Sequence, residues 1–181
     1  MFVLVGGWPA SGKSTVAAAL GPELGLPVLA KDEIKEAMAD GLGRPSTVAE
    51  SQELGRAAVL VALRVALRCP GAVIDSTWFA YTRPLVAALP GPIVEVRCVV
   101  PIEVARERYY ARAAERHPGH LDLDRTTEEL WGSPVLPLGV GPVVEVDTTV
   151  PVDIPALAAA IRSHCTNGGS TDGWAAGTPE G

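Results

Sequence analysis

The stretch that decides the fold is residues 2 to 15, Phe-Val-Leu-Val-Gly-Gly-Trp-Pro-Ala-Ser-Gly-Lys-Ser-Thr. Its apolar beginning predicts a short buried strand that stops at a glycine pair. The next eight residues have the spacing G-x-x-x-x-G-K-[ST], and they are Gly7, Trp8, Pro9, Ala10, Ser11, Gly12, Lys13 and Ser14. The alanine-rich run from Thr15 to Leu20 then predicts a helix. A strand, a glycine-bounded loop and a helix in this order are the context of a phosphate-binding P-loop.

Each part of this loop has a role in holding a polyphosphate. The glycines allow successive backbone N–H groups to converge on phosphate oxygens, and the following helix presents its positive N-terminus. Lys13 supplies a cation for the outer phosphates, and the Ser14 hydroxyl is a ligand for Mg²⁺. The predicted nucleotide-binding residues therefore run from Gly7 through Thr15.

Composition is typical of a globular protein and argues against two other classes. The 181 residues are 48% apolar, and the formal net charge of −6 argues against a broad nucleic-acid-binding surface. The first apolar run is too short for a signal peptide, and the apolar stretch 57–67 is too short to cross a bilayer. Three cysteines, Cys69, Cys98 and Cys165, fit no metal-binding spacing. We expect a cytoplasmic protein with no membrane partner and with reduced thiols.

Strand and helix patterns alternate five times between residues 2 and 164. This alternation predicts an α/β fold, with a five-stranded parallel sheet covered by helices on both faces. A long helix is expected from about Thr47 to Arg68, and its second half should be buried because it is apolar almost all round. We expect one domain over residues 1–165 and a flexible tail over 166–181, in which Trp174 is exposed.

Parallel sheets bind ligands at the carboxyl ends of their strands, and aspartates follow three of the predicted strands. Asp75 matches the acidic position that helps to hold Mg²⁺ or the acceptor. Asp32 is expected to face the γ-phosphate as the general base, with Lys35 one turn later on the same helical face. The alternative for Asp32 is a helix N-cap. Asp147 ends the last strand.

A basic stripe is predicted on the helix that begins near residue 102. Arg108, Arg112 and Arg116 are spaced by four residues and therefore lie on one helical face. A lid over about residues 104–125 would present these arginines to the bound phosphates. The alternative is a solvated face whose charge is offset by neighbouring glutamates.

The segment after the third strand contains candidates for the acceptor pocket. Trp78, with Phe79 and Tyr81, would line such a pocket, and packing in the core explains the same pattern equally well. Arg83 is a further candidate for substrate binding. The pair His117 and His120 provides only two ligands around a Pro-Gly breaker, so we interpret it as a turn rather than a metal site.

Five motifs follow one another along the chain: Gly7–Ser14, Asp32-Glu-Ile-Lys35, Ile74-Asp75, Pro101-x-Glu103 with Arg108-x-x-x-Arg112, and Val146-Asp147-Thr148. Together they resemble the small P-loop kinases, which include chloramphenicol phosphotransferase, zeta-toxin-like kinases and the kinase domain of polynucleotide kinase. The resemblance implies a nucleoside-monophosphate-kinase-like fold with a short lid, ATP with Mg²⁺ as cofactors, and Asp32 as the catalytic base. It also implies that Asp147, Thr148 and Thr149 border the adenine.

The sequence thus predicts an ATP-dependent kinase that phosphorylates a hydroxyl of a small molecule, such as an antibiotic or a metabolite. One alternative is a polynucleotide 5′-hydroxyl kinase, with a basic channel formed by Arg44, Arg56, Arg83 and the lid arginines. Lys35 argues against it, because polynucleotide kinases have an arginine there and lysine cannot bind phosphate in a bidentate manner. The other alternative is an ATP-binding module that has no acceptor.

Overall fold

The computed structural model describes residues 1–166, which form five strands and seven α-helices. The strands are β1 (Phe2–Gly7), β2 (Val28–Ala30), β3 (Ala72–Asp75), β4 (Ile93–Val99) and β5 (Val143–Asp147). The helices are α1 (Lys13–Leu24), α2 (Lys31–Leu42), α3 (Val48–Ala66), α4 (Arg83–Ala87), α5 (Ile102–Ala113), α6 (Thr127–Trp131) and α7 (Ile154–Thr166). Residue 166 still belongs to α7; the rest of the predicted tail, with Trp174, lies outside the described residues.

The sheet is entirely parallel, with the strand order β2-β3-β1-β4-β5. This confirms the predicted α/β class with a five-stranded parallel sheet. β1 lies at the centre, where Val5 pairs with Asp75 of β3 on one side and with Val96 of β4 on the other. The loop that leaves β1 therefore opens at the middle of the carboxyl edge of the sheet, between the ends of its two neighbours.

Alternate side chains of β1 enter two separate cores. Phe2 and Leu4 pack against α3 and α4, whereas Val3 and Val5 pack against α1 and α7. All four are at most 1% exposed, because successive residues of a strand point to opposite faces and both faces of this sheet are covered. The prediction that helices lie on both faces is confirmed, and the buried layers hold the carboxyl edge rigidly.

The outer side of α3 is exposed, so the prediction that its second half is buried was wrong. Leu60, Val61 and Val65 are 46%, 42% and 43% exposed. Their neighbours Ala62 and Leu63 are buried against the sheet. A helix that packs on one sheet face buries only one of its sides, and no described element covers the other. Among residues 1–166, no helix combines the length and the apolar character needed to traverse a bilayer.

Glu95 is a buried carboxylate that fixes the chain before β5. It is 4% exposed, and its two oxygens accept hydrogen bonds from the backbone N–H groups of Leu138 at 2.6 Å and Val140 at 2.8 Å. Both N–H groups would otherwise be buried without partners, which is costly in free energy. The carboxylate therefore ties the irregular segment to the centre of β4 and sets the start of β5.

Replacing Glu95 by glutamine should destabilise the protein, because an amide has one acceptor oxygen and places an N–H₂ donor against a backbone donor. We expect Glu95→Gln to lower the free energy of unfolding by about 2 kcal/mol. Urea-induced unfolding followed by circular dichroism measures this. The matched control is Glu145→Gln on neighbouring β5, where the 2.7 Å pair with Arg97 is exposed and should contribute less than about 1 kcal/mol. Equal effects of the two variants would contradict the assigned role of Glu95.

Candidate active site at the carboxyl edge of the sheet

The loop between β1 and α1 has a backbone that only glycine accommodates at two points. Gly7 and Gly12 have φ angles of 147° and 82°, in the region that L-residues rarely adopt. A Cβ on Gly7 would lie 2.7 Å from the carbonyl oxygen of Cys98, and one on Gly12 would lie 3.3 Å from Cβ of Thr148. The glycine spacing in the sequence is therefore required by the path of the loop and by what packs beneath it.

The residues between these glycines form a tight turn within the loop. Ala10 has a φ of 59°, and the Ser11 N–H donates to the carbonyl oxygen of Trp8 at 3.1 Å. The Trp8 ring packs at 5.7 Å from that of Trp131 in α6, and Pro9 lines the adjacent cavity. Trp8 thus connects the loop to a distant element of the chain.

Lys13 lies at the start of α1, with its ammonium group turned toward the loop. Nζ lies 3.4 Å from the Trp8 carbonyl oxygen, and the side chain lines a cavity of about 520 Å³. Burial lowers the pKa of Lys13, while Asp75 and Asp32 oppose that shift by favouring the charged form. The cation therefore lies between the loop and the two strand-end aspartates.

Ser14 and Asp75 bring two oxygen ligands together beside the loop. Ser14 lies within hydrogen-bonding reach of the Asp75 carboxylate, and Asp75 is 3% exposed. Its Oδ1 is buried with no hydrogen-bond partner among the described residues, and burial raises the pKa of Asp75. Hard oxygen ligands with an unfilled carboxylate oxygen fit Mg²⁺, which prefers one or two carboxylates together with phosphate and water. Both residues lie beside the loop, and their role as Mg²⁺ ligands stays a prediction.

Asp32 lies in the first turn of α2 and is not its N-cap, which is Ala30 without a side-chain cap. Its Oδ1 is 2.8 Å from Lys31 Nζ, and its Oδ2 is 2.8 Å from Arg116 Nη2. Burial alone would raise the pKa of Asp32, but Lys31, Lys13 and Arg116 together hold it well below its usual range. The carboxylate is therefore ionised, and it faces the same cavity as Lys13.

Arg116 links Asp32 to the predicted lid. Besides Asp32, it binds Asp122 through Nη1 at 2.7 Å, and Asp122 is 8% exposed. His120, in the turn between them, lies 2.7 Å from Glu36 of α2. The turn that we interpreted from the two histidines is thus docked on α2 by ion pairs and hydrogen bonds. Among residues 1–166, no group of three side chains has the arrangement of a metal site.

The three arginines of the predicted stripe separate in the structure. Arg112 lines the cavity, and its buried Nε has no hydrogen-bond partner in the part of the chain that the structure describes. Arg116 lies beyond the end of α5 and binds Asp32. Arg108 instead donates from Nη2 to the carbonyl oxygen of Thr148 at 3.1 Å and does not line the cavity. Arg116 leaves the stripe because α5 ends at Ala113, before it, whereas Arg108 and Arg112 lie one turn apart on α5 and have different surroundings.

The predicted adenine-binding segment lies directly beside the P-loop. The Thr148 hydroxyl lies 2.7 Å from the Ser11 carbonyl oxygen and 3.2 Å from that of Val99, so that it bridges the loop and β4. Thr149 donates from both its N–H and its hydroxyl to Asp147 Oδ1, at 2.8 and 2.7 Å. The turn after β5 is therefore fixed next to the loop, with Asp147 and Thr149 exposed.

Lys35 points into a second cavity of about 340 Å³ that shares several lining residues with the first. It is 2% exposed, and its Nζ donates to Ser51 Oγ at 2.6 Å. Ser51 in turn donates to the carbonyl oxygen of Gly119 at 2.8 Å. The predicted position of Lys35, one turn after Asp32 on the side facing the ligand, agrees with this geometry.

Two predicted acceptor-binding residues lie elsewhere. Trp78 is 5% exposed, packs in the core and donates from Nε1 to the carbonyl oxygen of Val5 at 3.1 Å, so the core-packing alternative describes it. Arg83 donates to the carbonyl oxygen of Gly139 at 3.2 Å, beside Ile93 at the amino end of β4. It therefore lies near the amino ends of the strands, whereas the P-loop lies at their carboxyl ends.

Sequence reasoning missed residues that bind across long separations. Lys31 and Ser51 contact Asp32 and Lys35, and Arg125 and Glu129 line both cavities. Lys31 was detectable, since it adjoins Asp32. Ser51 and Arg125 carry no local signal, because Ser51 contacts Lys35 from another helix and the Gly119 carbonyl oxygen 68 residues away, and Arg125 joins the cavity wall from the segment after α5. The cavity wall is assembled from α2, α3 and the segment after α5.

Comparison with known proteins supports this architecture at different levels. Residues 2–129 match the family model described as AAA domain. The uncharacterized protein Rv2004c of Mycobacterium tuberculosis is 33% identical over 126 residues, which cover 61% of this chain and 25% of that protein. This chain thus spans about a quarter of the length of the curated relatives that it matches.

Solved structures extend the similarity over most of the fold. A candidate kinase of Chloroflexus aurantiacus superposes with a TM-score of 0.78 at 32% identity, covering 90% of this chain and 97% of that one. A gluconokinase of Sinorhizobium meliloti gives a TM-score of 0.61 at 21% identity, covering 92% and 93%, which shows a shared fold. With a family model that matches more than half of its length, and a P-loop in the position the fold requires, this chain belongs to the AAA domain family of P-loop proteins.

Proposed function

We propose that this chain is an ATP-dependent phosphotransferase that moves the γ-phosphoryl group to a hydroxyl of a small molecule. The observation that carries the proposal is the position of Asp32, whose ionised carboxylate faces the same cavity as Lys13 of the P-loop. A nucleotide-binding module without an acceptor has no need for a carboxylate opposite its phosphates. An enzyme that aligns a hydroxyl with the γ-phosphate needs one there.

The P-loop side of the cavity holds the nucleotide in this proposal. Backbone N–H groups from Gly7 to Thr15 surround the phosphates, and Lys13 neutralises the charge on the outer ones. Ser14 and Asp75 would hold Mg²⁺, which when bound neutralises charge on the phosphates. Asp147, Thr148 and Thr149 border the adenine, and Arg108 fixes that border through the Thr148 carbonyl oxygen. Arg112 faces the transferring group with a guanidinium whose Nε has no hydrogen-bond partner within residues 1–166.

Asp32 orients the acceptor rather than acting as a strong base. Its low pKa makes proton abstraction from a neutral hydroxyl unfavourable before bond formation. Lys31 and Arg116 each occupy one side of the carboxylate, and each of its oxygens retains a second lone pair that can accept the hydroxyl hydrogen. In a loose transition state such alignment provides most of the catalysis.

Transfer to an alcohol acceptor forms one P–O bond and breaks another. The acceptor oxygen forms a bond to the γ-phosphorus while the bond from that phosphorus to the β,γ-bridging oxygen breaks, and ADP leaves with the electron pair. The hydroxyl proton passes through Asp32 to solvent once the new bond has formed. The products are a phosphate monoester, ADP and one proton.

The polynucleotide kinase alternative loses part of its predicted channel. Arg83 lies at the opposite edge of the sheet, bound to Gly139, and Arg44 lies in the exposed segment between α2 and α3. Of these three arginines, Arg56 alone lines the second cavity, the one into which Lys35 points. A panel of acceptors that includes nucleosides, sugars, hydroxy acids, chloramphenicol, aminoglycosides and 5′-hydroxyl oligonucleotides separates the two readings. Transfer only to oligonucleotides would replace the proposal by this alternative.

Substitution of Asp32 tests the proposed role of its carboxylate. Asp32→Asn keeps the shape of the side chain but weakens the hydrogen bond to the acceptor, so kcat should fall about 10²- to 10⁴-fold. Affinity for a non-hydrolysable ATP analogue, measured by calorimetry, should stay within about threefold, because among residues 1–166 Asp32 hydrogen-bonds to Lys31 and Arg116 and not to the P-loop. An unchanged kcat with the best acceptor would show that Asp32 has no part in transfer.

Arg116 is expected to act through Asp32 as a positioning residue. Arg116→Gln removes the 2.8 Å contact that fixes Oδ2, so kcat should fall about ten- to a hundredfold, less than in Asp32→Asn. Arg116→Lys retains one charged contact and should recover part of the loss. In the double variant with Asp32→Asn, the loss of Arg116 should cause little additional change. Fully additive effects would indicate that Arg116 acts independently. Arg44→Gln, an exposed residue outside the cavity, is the control.

A further inference from the structure

The second cavity adjoins the one that contains Asp32. It is bounded by α2, α3, the segment 77–81 and the segment 125–129. Lys31, Lys35 and Arg125 also line the larger cavity that contains Lys13 and Asp32. The two are therefore lobes of one cleft: phosphates occupy the lobe at the P-loop, and the lobe of about 340 Å³ is left for the acceptor.

Positive charge dominates the lining of this acceptor lobe. The lining contains four basic side chains, Lys31, Lys35, Arg56 and Arg125, and a single acidic one, Glu129. Lys31 is neutralised by Asp32. Glu129 caps α6 through Thr126 and accepts a hydrogen bond from Gln52 at 2.9 Å.

The other three cations have no ion-pair partner within residues 1–166. Arg56 and Arg125 form no ion pair there, and the Nε of Arg125 is buried without a hydrogen-bond partner. Lys35 likewise has no ion-pair partner, although Asp32 and Asp122 interact with it at longer range. This charge is therefore available to a ligand.

Lys35 is the most informative of these cations because it is buried. Its only hydrogen-bond partner among the described residues is Ser51, whose own proton is directed to the backbone carbonyl of Gly119. Two N–H donors of the ammonium group therefore remain unfilled at 2% exposure, and burial together with Lys31 and Arg125 lowers the pKa of Lys35 to about 8. An anion in the lobe would satisfy both donors and offset the cost of burying the charge.

Aromatic rings form the opposite wall of the lobe. Phe79 and Tyr81 stack with centroids 6.2 Å apart and an interplanar angle of 11°, and they are 52% and 49% exposed. Two stacked rings exposed beside a cluster of cations provide an apolar surface for the carbon skeleton of a ligand. The lobe thus combines sites for an anionic group and for an apolar or flat group.

We propose that the acceptor is a small hydroxylated acid, whose carboxylate or phosphate is bound by Lys35, Arg56 and Arg125. Its carbon skeleton packs on Phe79 and Tyr81, and its hydroxyl reaches Asp32. The transfer step of this assignment rests on the proposed phosphotransferase function, whereas the preference for an anion does not. Cationic acceptors such as aminoglycosides are disfavoured, because the lobe would repel them.

Ligands that share one skeleton and differ in charge test this assignment. Three compounds carry a phenyl ring and a secondary hydroxyl and differ only in the adjacent group. That group is anionic in mandelate, neutral in phenylethanediol and cationic in phenylethanolamine. Glycerol phosphate and glycerol provide the corresponding pair for phosphate. Calorimetric binding is measured on protein loaded with ADP and Mg²⁺, so that anions do not enter the P-loop. At least one anion should bind about tenfold or more tightly than its neutral match, and the amine most weakly.

Variants of the lining locate the binding. Arg56→Gln and Lys35→Met should weaken binding of the preferred anion about ten- to a hundredfold, because each removes a charge-assisted contact. The matched control is Arg64→Gln, which lies on the outer side of the same helix α3 and should leave binding unchanged. Because Arg56 is exposed, its variant tests the assignment even if Lys35→Met does not fold.

The results that would overturn the anionic acceptor differ from those that would overturn the phosphotransferase function. Neutral ligands that bind as tightly as the anions, absence of binding by either anion, or unchanged affinity in Arg56→Gln would overturn the anionic acceptor. Phosphoryl transfer to a neutral alcohol with no preference for acids would also overturn it while supporting the phosphotransferase. Anion binding that is lost in the variants, without transfer to any acceptor, would support the anion site and contradict the proposed function.

Discussion

The ion pairs of Asp32 with Lys31 and Arg116 are the interaction on which the site depends. They keep the carboxylate ionised, fix its two oxygens and connect it to Asp122 in the segment after α5. Without the Asp32 carboxylate, Arg116 would not be held over α2. The cleft would then lack the wall that contains Arg125. The same few contacts therefore fix Asp32 and hold the segment after α5 against α2, and under the proposed function they couple that segment to the orientation of the acceptor.

A parallel sheet makes this arrangement possible. β1, β2 and β3 end at one edge, so the P-loop, Asp32 and Asp75 converge although they are separated by tens of residues. The two cores on either face of β1 hold that edge without any contribution from the ligand. The strand ends thus fix the P-loop side of the cleft, whereas the second cavity is built from α2, α3 and the segments 77–81 and 125–129.

Local patterns predicted the features that depend on strand ends and missed those that depend on long-range partners. The P-loop was readable because its spacing determines its backbone, and the parallel topology then placed Asp32 and Asp75 beside it. The outer face of α3 was mispredicted because apolar composition does not say which side a neighbour covers. Arg83 and Arg108 were misplaced because side-chain direction depends on where a helix lies. Ser51 and Arg125 were missed because only the folded chain brings them next to Lys35.

A single-turnover experiment with ATP labelled in its γ-phosphate tests the central claim most directly. The chain is mixed in excess with labelled ATP, Mg²⁺ and an acceptor that binds in the cleft, and the position of the label is determined by mass spectrometry. The account predicts that the label becomes covalently attached to the acceptor hydroxyl and that little appears as inorganic phosphate. Release of the label only as inorganic phosphate, at a rate that no acceptor changes, would contradict it.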